Sequence, residues 1–91
     1  MYLMISTYTV PLDEVDKLRD AHIAFLDEKQ AAGIVVEAGR QDPPNGGVVI
    51  LDVASEKEAF AVMADDPYVK ANVGEYRAVG FNPTRGPLKK S

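Results

Sequence analysis

From Tyr2 to Thr9, aromatic and β-branched residues alternate along the chain and Pro11 closes the run, a pattern that predicts a strand. Leu3 and Ile5 fall on one side of it, Met4 and Tyr8 on the other. Both faces are therefore apolar, and cover is expected on both. From Leu12 the period lengthens. Val15, Leu18, His22, Phe25, Leu26 and Lys29 share one helical stripe that runs on to Ala32. Asp13, Glu14 and Asp16 suit the positive N-terminal end of such a helix, and Gly33 is its expected terminator.

Ile34 to Arg40 reads as a second strand. The segment Gln41-Asp42-Pro43-Pro44-Asn45-Gly46-Gly47 can only be a loop, and Val48 to Val53 follows as a third strand that completes a hairpin. Ser55 with Glu58 three positions later has capping-box spacing, and Ala59, Phe60 and Met63 give the following helix an apolar side as far as about Asp65. After Asp66-Pro67 the spacing predicts one helical turn ending near Gly74. Tyr76 to Asn82 is the last strand, and Pro83, Gly86 and Pro87 keep the tail irregular.

The order strand, helix, strand, strand, helix, strand predicts an α+β, ferredoxin-like βαββαβ fold. Its four-stranded antiparallel sheet carries two helices on one face. The other face would hold residues such as Met4, Val49 or Ile50, the parity of the hairpin leaving the individual assignment open. An apolar face of that size calls for a partner, and two sheets packed face to face as a two-fold homodimer would remove it from water.

Composition narrows the function classes. With 91 residues, 46% of them hydrophobic and 26% charged, the expectation is one globular domain spanning residues 1–91. A chain this short buries only about 60–65% of its surface, which again favours oligomerisation. There is no cysteine, so disulfides, thiolate catalysis and cysteine-based zinc sites are excluded. A net charge of −4 with scattered basic residues argues against nucleic acid as a partner. Arg85, Lys89 and Lys90 read as a solvated basic terminus. Met1 to Val10 lacks the basic start of a signal peptide and no apolar run reaches membrane-spanning length, so neither export nor a membrane is expected and the cytoplasm is the default compartment. No motif for a metal, a phosphate or a nucleophilic serine is present, and no cofactor is expected.

The chemistry that remains rests on few groups. His22 is the single histidine, and imidazole is the side chain best matched to proton transfer near neutral pH. Its position on the apolar stripe also fits a buried histidine held by one partner. Asp65 and Asp66 end a helix, where the macrodipole disfavours carboxylates. Asp66 either N-caps the next turn ahead of Pro67, or faces an imidazole, or does both. Arg19, three residues before His22, lies on the same helix surface. It could clamp an anionic substrate, hold Asp65 or Asp66, or pair with Asp16 or Asp20. Arg40 is a further anion contact at a strand end. Tyr8 and Tyr68 either donate to a developing oxyanion or simply pack.

Arg19-Asp20-Ala21-His22 before an apolar stretch, Ala38-Gly39, Asp65-Asp66-Pro67-Tyr68-Val69-Lys70-Ala71 and the closing strand from Tyr76 to Pro83 together resemble the YciI-like, or YCII-related, family. The resemblance spans nearly the whole chain. It implies a dimeric α+β barrel of ferredoxin-like subunits similar to muconolactone isomerase. A His/Asp dyad in a cleft is also implied, falling here on His22 and Asp66. One branch of the family is associated with dehydrochlorination of chlorinated hydroxyquinones. The expected function is thus acid–base chemistry, an isomerisation or elimination on a small cyclic or unsaturated anion, with Arg19, Arg40, Tyr8 and Tyr68 as substrate contacts. The alternative is a dimeric module that binds a metabolite, or serves structure alone, without catalysis. The chain departs from the family at Ala38-Gly39-Arg40, where members often read Ala-Gly-Pro.

Overall fold

The computed structural model describes residues 1–89; Lys90, part of the expected basic terminus, lies outside them. Strands β1 (Tyr2–Tyr8), β2 (Val35–Arg40), β3 (Gly47–Leu51) and β4 (Gly74–Gly80) form one antiparallel sheet in the order β2-β3-β1-β4. Helices α1 (Leu12–Asp16) and α2 (Arg19–Ala31) connect β1 to β2, and α3 (Glu56–Met63) and α4 (Pro67–Lys70) connect β3 to β4. This is the ferredoxin-like α+β arrangement expected from the element order. No helix among the described residues is long and apolar enough to cross a membrane.

Local signals account for most boundaries. Gly33 ends α2 at φ +79°, a conformation that costs glycine least. Its N–H donates to Gln30 O at 3.0 Å and the N–H of Ile34 to Lys29 O at 2.9 Å, the paired bonds of a Schellman cap. Ser55 Oγ accepts from Glu58 N at 3.2 Å. Glu58 returns the contact one residue further out than expected, accepting from Ala54 N at 3.0 Å. Asp66 caps α4 by accepting from Tyr68 N at 3.0 Å, with Pro67 in the first turn.

The long first helix differs from expectation. The stripe from Leu12 to Ala32 is interrupted at Lys17 and Leu18, and Leu18 leaves helical geometry at φ −104°, ψ 2°. The cause lies in what each piece buries. Val15 of α1 packs with Tyr68 and Val73 in one apolar cluster. Phe25 of α2 packs with Met4, Val35, Val49, Leu51, Ala59 and Met63 in another. A single straight helix would have to serve both clusters with one stripe, and the break lets each piece turn its own face inward.

Sheet register corrects the assignment of faces. Met4 pairs with Val49 on one side and Ala78 on the other, and Met4 and Val49 are buried beneath the helices. They belong to the core rather than to the open face. The adjacent row, Leu3 with Ile50 and Val79 and Ile5 with Val48, points the opposite way, and Val79 is exposed. Of the three residues expected on the open face, only Ile50 lies there. A bulge between Val35 and Glu37 shifts the pairing of the edge strand β2 with β3, an irregularity that sequence alternation does not announce.

The loop between β2 and β3 is tied to β1. Gln41 Nε2 donates to Ser6 O at 2.8 Å, Asn45 O accepts from Tyr8 N at 2.8 Å, and Ser6 Oγ accepts from Gly47 N at 2.7 Å. Gly46 passes so close that a Cβ there would lie 1.8 Å from Ser6 O, while one at Gly39 would meet nothing within 4 Å. Gly46→Ala is therefore expected to cost about 3 kcal/mol or more through backbone displacement. Gly39→Ala should stay within about 0.5 kcal/mol. Denaturant unfolding of the two variants measures the contrast.

Candidate active site

His22 is carried by the first turn of α2 and Asp66 by the residue that caps α4. The fold brings them together across 44 positions of sequence, with His22 Nδ1 2.8 Å from Asp66 Oδ1. Asp66 is fully buried, and the His22 side chain keeps 15% of its surface exposed. The carboxylate accepts two further hydrogen bonds, from Tyr68 N to Oδ1 at 3.0 Å and from the Tyr76 hydroxyl to Oδ2 at 2.8 Å. Asp66 thus performs both of the roles open to it, capping the turn and facing the imidazole.

A carboxylate that accepts at Nδ1 assigns the proton to that nitrogen. Nε2 is left as the lone-pair nitrogen of the neutral ring. The ring is also held flat: it stacks on Tyr68 with centroids 3.9 Å apart and planes 8° from parallel. Tyr68 in turn meets Tyr8 edge-on at 6.0 Å. Burial raises the phenol pKa of Tyr68. Burial, followed by the neighbouring Asp66 charge, raises that of Tyr76 strongly, so both hydroxyls stay protonated donors.

His22 lines a cleft of about 150 Å³ between α2 and the sheet. Ile23, Leu26 and Val49 form apolar wall, and Tyr8, Arg19, Arg40, Tyr68 and Tyr76 add polar groups. The sequence-expected residues therefore share one site, but the two arginines differ. Arg40 is committed: Nη2 lies 2.5 Å from Asp16 Oδ1, and Nε donates to the Tyr8 hydroxyl at 3.1 Å. Hydrogen bonding to Asp16 secures its positive charge. Arg19 is exposed and makes no hydrogen bond or ion pair to a described residue. It holds neither Asp65 nor Asp66, and the carboxylate of Asp16 goes to Arg40 instead. No group of three or more His, Cys, Asp or Glu side chains that could hold a metal ion occurs among the described residues.

Two contributors were not among the sequence candidates. Tyr76 is the third donor to Asp66, and Asp16 is the anchor of Arg40. Tyr76 had a signal. In Glu75-Tyr76-Arg77-Ala78 the charged residues alternate with it, so its ring had to face the helices. Asp16 had none, because its partner lies 24 positions away on another element.

With fold and cleft defined, comparison with known proteins places the chain. It matches the YCII-related domain over residues 1–81 and belongs to that family. A solved structure from Burkholderia phenoliruptrix AC1100 is similar in fold over 99% of this chain and 100% of its own, with a TM-score of 0.71 and 20% sequence identity. That structure is 5-chloro-2-hydroxyhydroquinone dehydrochlorinase (TftG) in complex with 2,5-dihydroxybenzoquinone. No curated protein matches the chain in sequence.

Tyr76→Phe removes one of three donors from a buried carboxylate and is expected to cost about 1–3 kcal/mol near neutral pH. The sign of its pH dependence follows from the raised native pKa of the phenol. The unfolded chain loses this proton near pH 10 while the native state keeps it, so the stabilisation is full below about pH 10 and is lost as pH rises above it. Denaturation midpoints at pH values below and above this point should show a smaller alkaline decline in Tyr76→Phe than in the wild type.

Proposed function

We propose that this chain is an enzyme without a redox cofactor that moves a proton on a small cyclic or unsaturated anion, leading to isomerisation or elimination. The observation that supports it most is the orientation of one imidazole. Nδ1 is bonded to a buried, triply bonded carboxylate, and the ring lines a small cleft together with Arg19, whose guanidinium has no partner among the described residues. His22 then acts as general base through Nε2, and Asp66 fixes the tautomer and stabilises the imidazolium that forms. Arg19 is the guanidinium available for substrate charge. Tyr68 holds the imidazole plane and narrows the cleft. The fold shared with a dehydrochlorinase bound to a dihydroxybenzoquinone agrees with a compact, oxygen-rich ring as substrate.

The working form in this reading is a homodimer in the cytoplasm. Leu3, Ile5, Val48, Ile50 and Val79 form the apolar row on the sheet face away from the helices, and a second sheet would cover it. Sedimentation should give the mass of two chains, and Ile5→Glu should give that of one.

The dyad is tested by proton exchange at carbon. Small ring lactones, hydroxyquinones and unsaturated acids are incubated with the protein in deuterated water, and loss of carbon-bound proton signal is followed by NMR. His22→Gln should fold normally, retain binding and lose about 10²- to 10⁴-fold in rate. A variant with unchanged exchange, or one whose only defect is a lowered melting temperature, would instead favour a binding or purely structural role for the pair.

A further inference from the structure

Among the cavities, charged clusters and exposed faces of the molecule, the arrangement around the Tyr8 hydroxyl carries the argument furthest. Tyr8 ends β1 and lines the cleft together with His22. Its oxygen accepts a hydrogen bond from Arg40 Nε at 3.1 Å, and no other described residue bonds it. An oxygen whose lone pair is occupied by a guanidinium N–H presents its own proton outward. The arginine behind it is fixed at its other end by Asp16, so the cation is held against the phenol rather than free to reach a ligand itself. Its guanidinium carbon lies 5.6 Å from the Tyr8 ring centroid. Tyr68 touches both the His22 ring and the Tyr8 ring, so base and donor flank one aromatic wall.

A hydroxyl on a residue lining a cleft, polarised by a fixed cation whose N–H it accepts, is suited to a site where negative charge develops on oxygen. We infer that Tyr8, positioned and polarised by Arg40, is the oxyanion donor of this site, and that the substrate is a small carbonyl compound with an acidic C–H beside the carbonyl and one further anionic group for Arg19. This role presupposes the acid–base reading above and deepens it. In the step, Nε2 of His22 takes the proton from carbon and the C–H pair forms a carbon–carbon double bond. The carbonyl π pair moves to oxygen, and the resulting enolate oxygen accepts from Tyr8. Where a further carbon–carbon double bond is conjugated with the new one, the dienolate takes the same proton back from Nε2 at its far carbon; where the carbon β to the carbonyl carries a leaving group, that group departs with its bonding pair and Nε2 releases the proton to solvent. Arg40 is a positioning residue here, acting through Tyr8.

The test uses 4-nitrophenol, a single-ring probe whose phenolate absorbs visibly and which offers no acidic C–H to His22. Wild-type protein is expected to bind the phenolate form in preference to the phenol and to lower the pH at which the bound probe ionises. Tyr8→Phe and Arg40→Met should each weaken phenolate binding by about 10- to 100-fold and return the ionisation toward that of the free probe. Lys57→Met, which removes an exposed cation outside the cleft, should leave the bound ionisation within about threefold of the wild type, a difference well below one charged hydrogen bond. Absence of phenolate binding to the wild type, unchanged binding in Tyr8→Phe, or loss confined to Arg19→Met would overturn the assignment. Because the probe requires no proton abstraction, failure of the dyad in the exchange experiment leaves this measurement standing, and the reverse also holds.

Discussion

Everything at the site depends on how one buried carboxylate is satisfied. Asp66 is 0% exposed, and an unpaired carboxylate at such a position costs several kcal/mol. A single hydrogen bond to a charged group returns only about 1.5–3 kcal/mol, so one partner is too few. Three elements supply the donors: the His22 ring from α2, the Tyr68 amide from α4 and the Tyr76 hydroxyl from β4. The same bonds that make the carboxylate tolerable also lock helix to turn to sheet. The imidazole is held by Nδ1 against that carboxylate and flat on Tyr68, and its ring lines the cleft. Stability and site geometry are here one constraint.

The interrupted first helix serves that constraint. α1 sends Val15 into the cluster around Tyr68, and α2, re-aimed after Leu18, sends Phe25 into the main core. His22 lies at the seam between the two clusters, stacked on a member of the first and three residues ahead of a member of the second. A histidine deep within either cluster would have no opening to a ligand. One on the outer surface would have no buried partner. The seam provides both, and the small cleft is the gap that the two clusters leave beside the sheet.

Charge is divided with similar economy. The guanidiniums of Arg19 and Arg40 both line the cleft; that of Arg40 is paired with Asp16, and that of Arg19 has no partner among the described residues. Arg40 is held between Tyr8 and Asp16 where it lines the cleft. Its position at the end of β2, bonded to β1 and α1, also closes one end of the site across three elements.

Periodicity and spacing determined a good deal of this protein. The alternation of β1, the Gly33 terminator, the Ser55 cap and the Asp66-Pro67 start each rest on interactions within a few residues, where local chemistry is decisive. The pairing of His22 with Asp66 was legible only through the joint presence of two motifs, because nothing local links residues 44 apart. Tertiary structure alone decided the break in the first helix, the inward side of Met4 and Val49, the third donor from Tyr76, and the pairing of Arg40 with Asp16. Each of those depends on register or on packing between distant elements. A one-residue change in register reverses a strand's faces without altering its pattern, and an arginine's partner is chosen by whichever carboxylate the fold brings near.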